Sequence, residues 1–264
     1  MRFLYVLFLL VGLVALAASG YLYLSWQGDN RLLRTYAADV LDGGAITGKK
    51  IELLNDKVYH TKGFGKSQRY FLAKGLGPTP VDILDTGGDC SDKSRLVASI
   101  LNEYGVKATL VMLYPCATCP AGHTVVEAQA EDGPIVVDPV YNISFPDHGG
   151  GYHGLRSLRA DPGILQNRLD ELIALRGKRD KIAYFRRNAD GIHYAHPRTV
   201  NWDKNGTTRV VKRALGLFVD DPLLVYRPRF MEDPKLLVLI AALTLGVLAT
   251  GAGALGLWLS RNRS

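Results

Sequence analysis

Two long apolar segments, one near each end of the chain, constrain its fold more than any other feature. Residues 3–26 and residues 236–260 contain no charged side chain. A helix of roughly 20 residues crosses the hydrocarbon core of a bilayer, and each segment is longer than that. A core helix of a soluble domain would show a polar face, which neither segment has. The sequence therefore predicts an N-terminal transmembrane anchor, residues 1–27, and a C-terminal transmembrane helix, residues 235–260, followed by a tail of residues 261–264.

The first segment has a second interpretation as a cleaved signal peptide. Ala15-Leu16-Ala17 resembles a small-residue cleavage site. Against cleavage, apolar and aromatic residues continue to Trp26, and the only charge before the segment is Arg2. An uncleaved anchor is therefore favoured.

The charges that flank the two segments predict the orientation of the chain. Arg2 precedes the first segment, and Arg261 and Arg263 follow the second. Short flanks rich in Arg and Lys stay in the cytoplasm, while a long middle segment is translocated whatever its charge. Both termini are therefore predicted to be cytoplasmic, with the main domain, about residues 28–234, in the periplasm or another compartment outside the inner membrane.

Small residues in the second segment predict that the two membrane helices pack together. Gly246, Thr250 and Ala254 lie four residues apart, which places them on one face of a helix. Small residues at this spacing allow the backbones of two membrane helices to approach closely. Gly12 and Ala15 of the first segment are the expected points of contact, although glycines are common in membrane helices in any case.

The charge of the chain gives no reason to expect a nucleic-acid partner. The 264 residues carry a formal net charge of +7, but the Lys and Arg residues are scattered and no basic motif interleaved with aromatics occurs. Arg227, Arg229 and Lys235 lie just before the second apolar segment, where they are predicted to meet lipid headgroups. Membrane lipid is therefore an expected partner.

Two of the three cysteines lie close together in the sequence Cys116-Ala-Thr-Cys119. In an oxidising compartment such a pair predicts a disulfide that closes a loop. A thioredoxin-like role would need the pair to open a helix, but Pro-Ala-Gly follows it. Zinc binding with His123 as a third ligand is an alternative, but no further Cys or His pair supplies a fourth ligand. We expect no metal and no other cofactor, and two unpaired thiols remain a third possibility.

The remaining cysteine, Cys90, has the surroundings of a nucleophile. It follows Gly87-Gly88-Asp89 and opens a predicted helix over residues 91–104, whose apolar residues recur every three or four positions. The unpaired N–H groups and the dipole at a helix N-terminus favour the thiolate, which is the reactive form of cysteine. The two glycines are expected to allow a sharp turn and to leave room for a substrate. The alternative is a buried cysteine that only fills the core.

A predicted hairpin supplies a base and a carboxylate for this thiol. Strands are predicted over residues 107–114, 123–129 and 135–138. If Gln129 pairs with Pro134, then His123 and Asp138 share one face as diagonal neighbours, whereas a shift of one residue separates them. If the Cys90 helix packs on that face, the three side chains converge as nucleophile, base and orienting carboxylate.

The three motifs together resemble the transglutaminase-like superfamily of cysteine enzymes, which has a papain-type fold. The matching residues are Gly-Gly-Asp-Cys90 at a helix start, then His123-Thr-Val-Val-Glu, then Ile-Val-Val-Asp138-Pro. The resemblance covers about residues 60–145. It implies an α+β fold in which the cysteine-bearing helix packs on an antiparallel sheet, flanked here by two transmembrane helices. It also implies that Cys90 is the catalytic nucleophile, His123 the base and Asp138 its orienting group.

The family pattern predicts where the domains of the chain begin and end, and it leaves the oxyanion donor unassigned. Residues 28–145 are the predicted transglutaminase-like core, and residues 146–234 are predicted to be a helical extension with helices over 161–176 and 207–218. Val125 replaces an aromatic residue that is often found two positions after the family's histidine. Gln68 is a possible oxyanion donor, but a surface glutamine is the simpler interpretation, and the backbone N–H of Cys90 is the better candidate.

The resemblance implies acyl transfer through a thioester, on peptide or protein amides. Hydrolysis is favoured over amine crosslinking, because water is the default acceptor and no amine-selecting site is visible in the sequence. The main alternative is a non-catalytic subunit of a cell-envelope assembly, such as one for polymer export, in which partner proteins bind the domain.

Overall fold

The computed structural model describes residues 2–116, 118–187, 194, 196–204 and 206–262. The described chain has an α+β fold. Its helices are α1 (Arg2–Leu41), α2 (Gly48–Tyr59), α3 (Pro80–Thr86), α4 (Cys90–Glu103), α5 (Leu155–Ala160), α6 (Pro162–Arg176), α7 (Lys181–Arg187), α8 (Gly206–Leu215) and α9 (Pro234–Arg261). Its strands are β1 (Ala108–Leu113), β2 (His123–Ala130), β3 (Gly133–Asp138), β4 (Ile143–Ser144) and β5 (Pro197–Arg198).

The strands form one antiparallel sheet in the order β4-β3-β2-β1-β5. Strands β1, β2 and β3 coincide closely with the predicted ones. Gln129 pairs with Pro134, so the predicted register of the β2–β3 hairpin is confirmed. The segment predicted as a helical extension is not purely helical, since β5 lies within it and pairs with Met112 and Leu113 of β1.

The sheet separates two apolar cores, because alternate residues of each strand point to opposite faces. One face packs against α2, α4 and the C-terminal part of α1, and contributes Leu110, Val126 and Val137 to that core. The other face packs against α5, α6 and α7, and contributes Val111, Val125 and Val136.

Helix α1 is one continuous helix of 40 residues. Residues 30–40 continue this helix out of the apolar segment and into the folded domain. The region contains no proline or glycine to break the helix, and Leu33, Ala37 and Leu41 are buried in the core beside α4. The apolar anchor and the folded domain are therefore joined by an uninterrupted helix.

Helices α1 and α9 are both long and apolar enough to cross a membrane. Most of their apolar side chains are exposed, as expected for a lipid-facing helix rather than a core helix. The two helices pack against each other through small residues, as the sequence predicted. A Cβ atom on Gly12 would lie 2.3 Å from Oγ1 of Thr250 and 3.0 Å from the carbonyl oxygen of Gly246.

The contact at Gly12 gives a first testable prediction. Gly12→Leu is expected to force α1 and α9 apart and to cost about 1–3 kcal/mol, because no space exists for a side chain there. Gly20→Leu is the matched control, since a Cβ on Gly20 meets no atom within 4 Å. The thermal unfolding midpoint of the detergent-solubilised protein is the measurement. Equal midpoints for the two variants would contradict the packing.

The basic residues next to α9 are paired within the protein rather than left for lipid headgroups. The Arg227 Nε lies 2.9 Å from a carboxylate oxygen of Glu232, and an Arg229 nitrogen lies 2.6 Å from Glu103. Lys235 donates hydrogen bonds to Asp29 and to Ser25 of α1. The predicted lipid contact of these three residues is therefore not supported, and their role is to tie α9 and the segment before it to α1 and α4.

Candidate active site

The turn between α3 and α4 places Cys90 at the first position of a helix. Gly87 has a φ of +79°, which favours glycine, and a Cβ on it would lie 2.1 Å from the carbonyl oxygen of Lys62. A Cβ on Gly88 would lie 2.3 Å from the Cβ of Asp92. Both glycines are thus required by close protein contacts. The expectation that they leave room for a substrate is wrong at Gly88, because Asp92 occupies that space.

The first turn of α4 is held by a reciprocal pair of aspartates. The Asp89 carboxylate accepts hydrogen bonds from the backbone N–H groups of Ser91 (2.9 Å) and Asp92 (3.1 Å). The Asp92 carboxylate accepts in turn from the N–H of Asp89 (3.4 Å). This capping box fixes the direction in which α4 starts. The N–H of Cys90 is not used by the cap, and it points from the positive end of the helix dipole.

His123 and Asp138 form the buried hydrogen bond that the register made possible. The His123 Nε2 lies 2.6 Å from an Asp138 carboxylate oxygen, and the two side chains are 5% and 1% exposed. The other oxygen of Asp138 accepts from the N–H groups of Val140 (2.8 Å) and Tyr141 (3.1 Å). Both oxygens of the carboxylate are therefore hydrogen-bonded. Because Asp138 occupies the Nε2 of His123, the Nδ1 is left for another partner.

Cys90 interacts with His123 as well, and this interaction contributes to the raised pKa of the imidazole. Cys90 is partly exposed and is the free thiol of the chain. The contact arises in an unexpected way. The hypothesis required α4 to pack on the face that carries His123 and Asp138, but α4 packs on the opposite face. Cys90 still reaches His123 because His123 is the first residue of β2, so the start of α4 meets it around the end of the strand.

A buried hydrogen bond links the cysteine-bearing helix to the histidine-bearing strand. Ser94 lies one turn after Cys90, is fully buried, and donates its hydroxyl to the carbonyl oxygen of Thr124 at 3.0 Å. Thr124 directly follows His123 in β2. The bond therefore sets the position of the sulfur relative to the imidazole.

The surroundings of His123 favour its protonated form. Burial of the ring disfavours charge, but the Asp138 carboxylate and the hydrogen bonds to Asp138 and Cys90 outweigh burial and raise the pKa of His123 from 6.5 to about 10. The favoured, protonated form of the ring thus lies next to a carboxylate and a sulfur. This is the arrangement that stabilises a thiolate.

The raised pKa of His123 predicts a loss of stability in alkaline solution. A group that binds its proton more tightly in the folded state adds stability below its unfolded pKa, 6.5 here, and that contribution is lost as the pH rises through about 10. Wild-type protein should therefore lose more thermal stability between these pH values than His123→Gln, in which no imidazole titrates. Comparison of the two proteins removes the effect of other groups that titrate in this range. Parallel stability curves would contradict the assigned pKa.

Aromatic side chains enclose the imidazole, and the sequence did not predict them. The ring centroids of Tyr141 and Phe185 lie 5.4 Å and 6.1 Å from that of His123, and 4.4 Å from each other. Tyr141 follows Asp138 by three residues and belongs to the same turn. Phe185 lies on α7, far along the chain, so no local pattern connects it to His123. These rings exclude water from one side of the imidazole.

Gln68 shows no sign of a role as oxyanion donor. Its side chain is exposed, and its amide donates to the carbonyl oxygen of Lys66 in its own loop at 3.3 Å. The loop does adjoin the site, since the N–H of Gly65 donates to the carbonyl oxygen of Gly88. The backbone N–H of Cys90 remains the better candidate.

The predicted disulfide is confirmed, because Cys116 and Cys119 are bonded to each other. Their sulfurs are therefore not thiolate ligands, and His123 is engaged by Asp138 and Cys90. Among the residues that the structure describes, no cluster of three or more His, Cys, Asp or Glu side chains is placed to hold a metal ion. The zinc hypothesis has no support in this arrangement.

The candidate site thus brings together the three side chains that the sequence singled out, Cys90, His123 and Asp138. Two of them are buried and fixed by hydrogen bonds, and the third is accessible from solvent. Comparisons of the chain with protein-family models, with curated proteins and with solved structures found no match.

Proposed function

We propose that the chain is a membrane-anchored, transglutaminase-like cysteine enzyme that transfers acyl groups from peptide or protein amides. The observation that carries this proposal is the position of His123, which is hydrogen-bonded to Asp138 and close enough to Cys90 for the cysteine to help raise the pKa of the imidazole. A thiol that only fills a core has no need of a charged, oriented imidazole beside it. The same three groups in this relation activate the nucleophile in cysteine acyl-transfer enzymes.

The first half of the reaction forms a thioester. The Cys90 thiolate attacks the carbonyl carbon of the amide, a C–S bond forms, and the carbonyl electron pair moves to oxygen. The N–H of Cys90, at the positive end of α4, is placed to stabilise this oxyanion. The C–N bond then breaks as the imidazolium of His123 gives its proton to the departing amine.

The second half releases the acyl group. The neutral His123 accepts a proton from the incoming water as its oxygen attacks the thioester carbon. The C–S bond breaks, the thiolate leaves, and the imidazolium is restored. An amine that attacked in place of water would give conjugation instead. We propose hydrolysis as the principal outcome, because no feature of the described residues selects an amine.

The proposed location follows from the two candidate membrane helices and the charges at their ends. Both termini lie in the cytoplasm in this proposal, and the folded domain lies outside the inner membrane. The disulfide Cys116–Cys119 fits a compartment that is oxidising. Substrates would then be peptides or proteins of the cell envelope.

Complementation with Cys90→Ala tests the proposal without a known substrate. A strain that lacks the gene should be rescued by the wild-type chain but not by Cys90→Ala. The amount of protein in the membrane and the thermal unfolding midpoint should be equal for the wild type and Cys90→Ala. Loss of rescue then reflects loss of the reaction rather than loss of the protein. The double variant Cys116→Ser/Cys119→Ser is a control that removes two sulfurs outside the site. Full rescue by Cys90→Ala would refute the enzyme.

A non-catalytic envelope subunit is the second candidate. The observation in its favour is the rigid connection between α1, α9 and the domain, through the continuous α1 and the pairing of Trp26 with Asp233 (2.9 Å). Such a connection suits a domain that transmits force or a change of position from the membrane helices to a partner protein. Rescue by Cys90→Ala, together with loss of rescue by Gly12→Leu, would favour this function.

A further inference from the structure

Helix α8 divides into two chemically different sides. At about 100° per residue, its apolar residues and those of the turn after it fall on one side, and its basic residues fall on the other. The apolar side consists of Val210, Val211, Ala214, Leu215, Leu217 and Phe218. The basic side consists of Arg209, Lys212 and Arg213.

The protein covers only part of the apolar side. Val211 and Leu215 lie over an apolar groove lined also by Trp202, Tyr226 and Met231. The rest of that side has no cover in the described part of the chain. The side chains of Val210, Leu217 and Phe218 are 63%, 81% and 83% exposed. Adjacent large apolar side chains at this exposure mark a surface that another apolar phase covers.

This surface lies beside the point where the chain enters α9. The groove under α8 is lined by Pro228 and Met231, a few residues before Pro234, where α9 begins. The same segment contacts the end of the apolar anchor, since the Arg229 guanidinium lies 5.7 Å from the ring centroid of Trp26. Trp26 is the last large apolar residue of the anchor segment of α1. One side of helix α8 therefore lies against the segment that leads into α9 and that contacts the end of the anchor.

The basic side of α8 is available for anionic groups. In the part of the chain that the structure describes, Arg209, Lys212 and Arg213 have no ion pair or side-chain hydrogen bond. By contrast, Arg227, Arg229 and Lys235, which lie nearer to α9 in the chain, are each paired with an acid. A helix with an apolar side and a Lys- and Arg-rich polar side is typical of one that lies in the interface of an anionic bilayer.

We propose that α8 and the turn that follows it, residues 206–218, lie in the headgroup region of the anionic bilayer that holds α1 and α9. Leu217 and Phe218 insert among the acyl chains, and the basic side extends to lipid phosphates. The segment acts as a third contact that fixes the tilt of the folded domain over the membrane. This proposal is independent of the chemistry at Cys90.

Fluorescence of the full chain in lipid nanodiscs tests the proposal. An environment-sensitive fluorophore is attached through Leu217→Cys in a Cys90→Ser background. In nanodiscs of phosphatidylcholine and phosphatidylglycerol we expect a blue shift of its emission and strong quenching by a lipid with a nitroxide on its acyl chain. Leu13→Cys, in the middle of the anchor, is the positive control, and Lys212→Cys, on the basic side, should be quenched far less.

The outcomes of this experiment distinguish lipid from other molecules that could cover the apolar side of α8. Water-like emission at position 217 overturns the proposal. So does a blue shift without quenching by the lipid nitroxide, because a second copy of the chain or another part of the protein then covers the surface. Omission of phosphatidylglycerol should weaken the quenching, and the triple variant Arg209→Glu/Lys212→Glu/Arg213→Glu should no longer respond to that lipid. A response unchanged by the triple variant overturns the assignment of the basic side.

Discussion

Replacement of His123 by alanine is expected to lower the rate of Cys90 alkylation by iodoacetamide at about pH 6 by about 10²-fold or more. Near this pH an isolated thiol is almost entirely protonated, and only the thiolate is nucleophilic. In the proposed mechanism the buried imidazole, held by Asp138, supplies the positive charge that stabilises the thiolate. Mass spectrometry of the intact protein measures the rate, since Cys90 is the only cysteine outside the disulfide.

His148→Ala is the control for this experiment. His148 is exposed and lies in a loop that carries none of the three site residues, so its removal should leave the alkylation rate unchanged. The ratio between the two variants should shrink as the pH rises, because an unassisted thiol then ionises by itself. Equal rates for wild type and His123→Ala at acidic pH would show that the imidazole does not activate the sulfur.

Asp138→Ala is expected to destabilise the protein more than any other single change in the site, by about 3–5 kcal/mol. The change leaves the charged imidazole of His123 buried without its counterion. It also removes the acceptor of the N–H groups of Val140 and Tyr141. Uncompensated buried groups of this kind are costly because water cannot replace the lost partner. Chemical denaturation of the detergent-solubilised protein gives the free energy of unfolding.

Two further variants separate the charge from the hydrogen bonds. Asp138→Asn keeps an oxygen acceptor for the backbone N–H groups and should cost less stability than alanine. It still removes the carboxylate that raises the pKa of His123, so alkylation in acid should slow nearly as much as in His123→Ala. Asp147→Ala removes a carboxylate that also accepts two backbone N–H groups, both at 2.8 Å, but in a loop at the surface. If Asp147→Ala lowered the free energy of unfolding as much as Asp138→Ala does, the buried ion pair would not be the cause of the destabilisation.

The parts of the fold that depend on short-range patterns were predictable. The apolar spacing after Cys90 and the two glycines before it predicted α4 almost to the residue. The alternation in residues 123–138 predicted β2 and β3, but it left their register open, and the structure has the register that pairs Gln129 with Pro134. The small residues Gly12 and Gly246 predicted the contact of the two membrane helices. In each case the information lies within one helix or one hairpin.

The parts that depend on long-range packing were not predictable. No element was predicted in the glycine-rich region of residues 43–77, although Ile51, Leu54 and Val58 have helical spacing, and burial of these side chains against α4 and the sheet stabilises α2. The continuation of α1 into the domain depends on the same core. Nothing in the residues around Phe185 indicates that its ring packs beside His123.

The sequence by itself determined that the chain carries two membrane-length apolar segments, a cysteine at a helix start, and a hairpin in which one of two registers puts a histidine and an aspartate on the same face. These features follow from local periodicity and from the covalent shortness of the connections. Only the tertiary structure decided that the sulfur meets the imidazole, and that it does so around the end of β2, from a helix on the opposite face of the sheet. The physical reason is that the relative position of α4 and β2 is set by the shared core and by the bond from Ser94 to Thr124, whose partners lie far apart in the sequence.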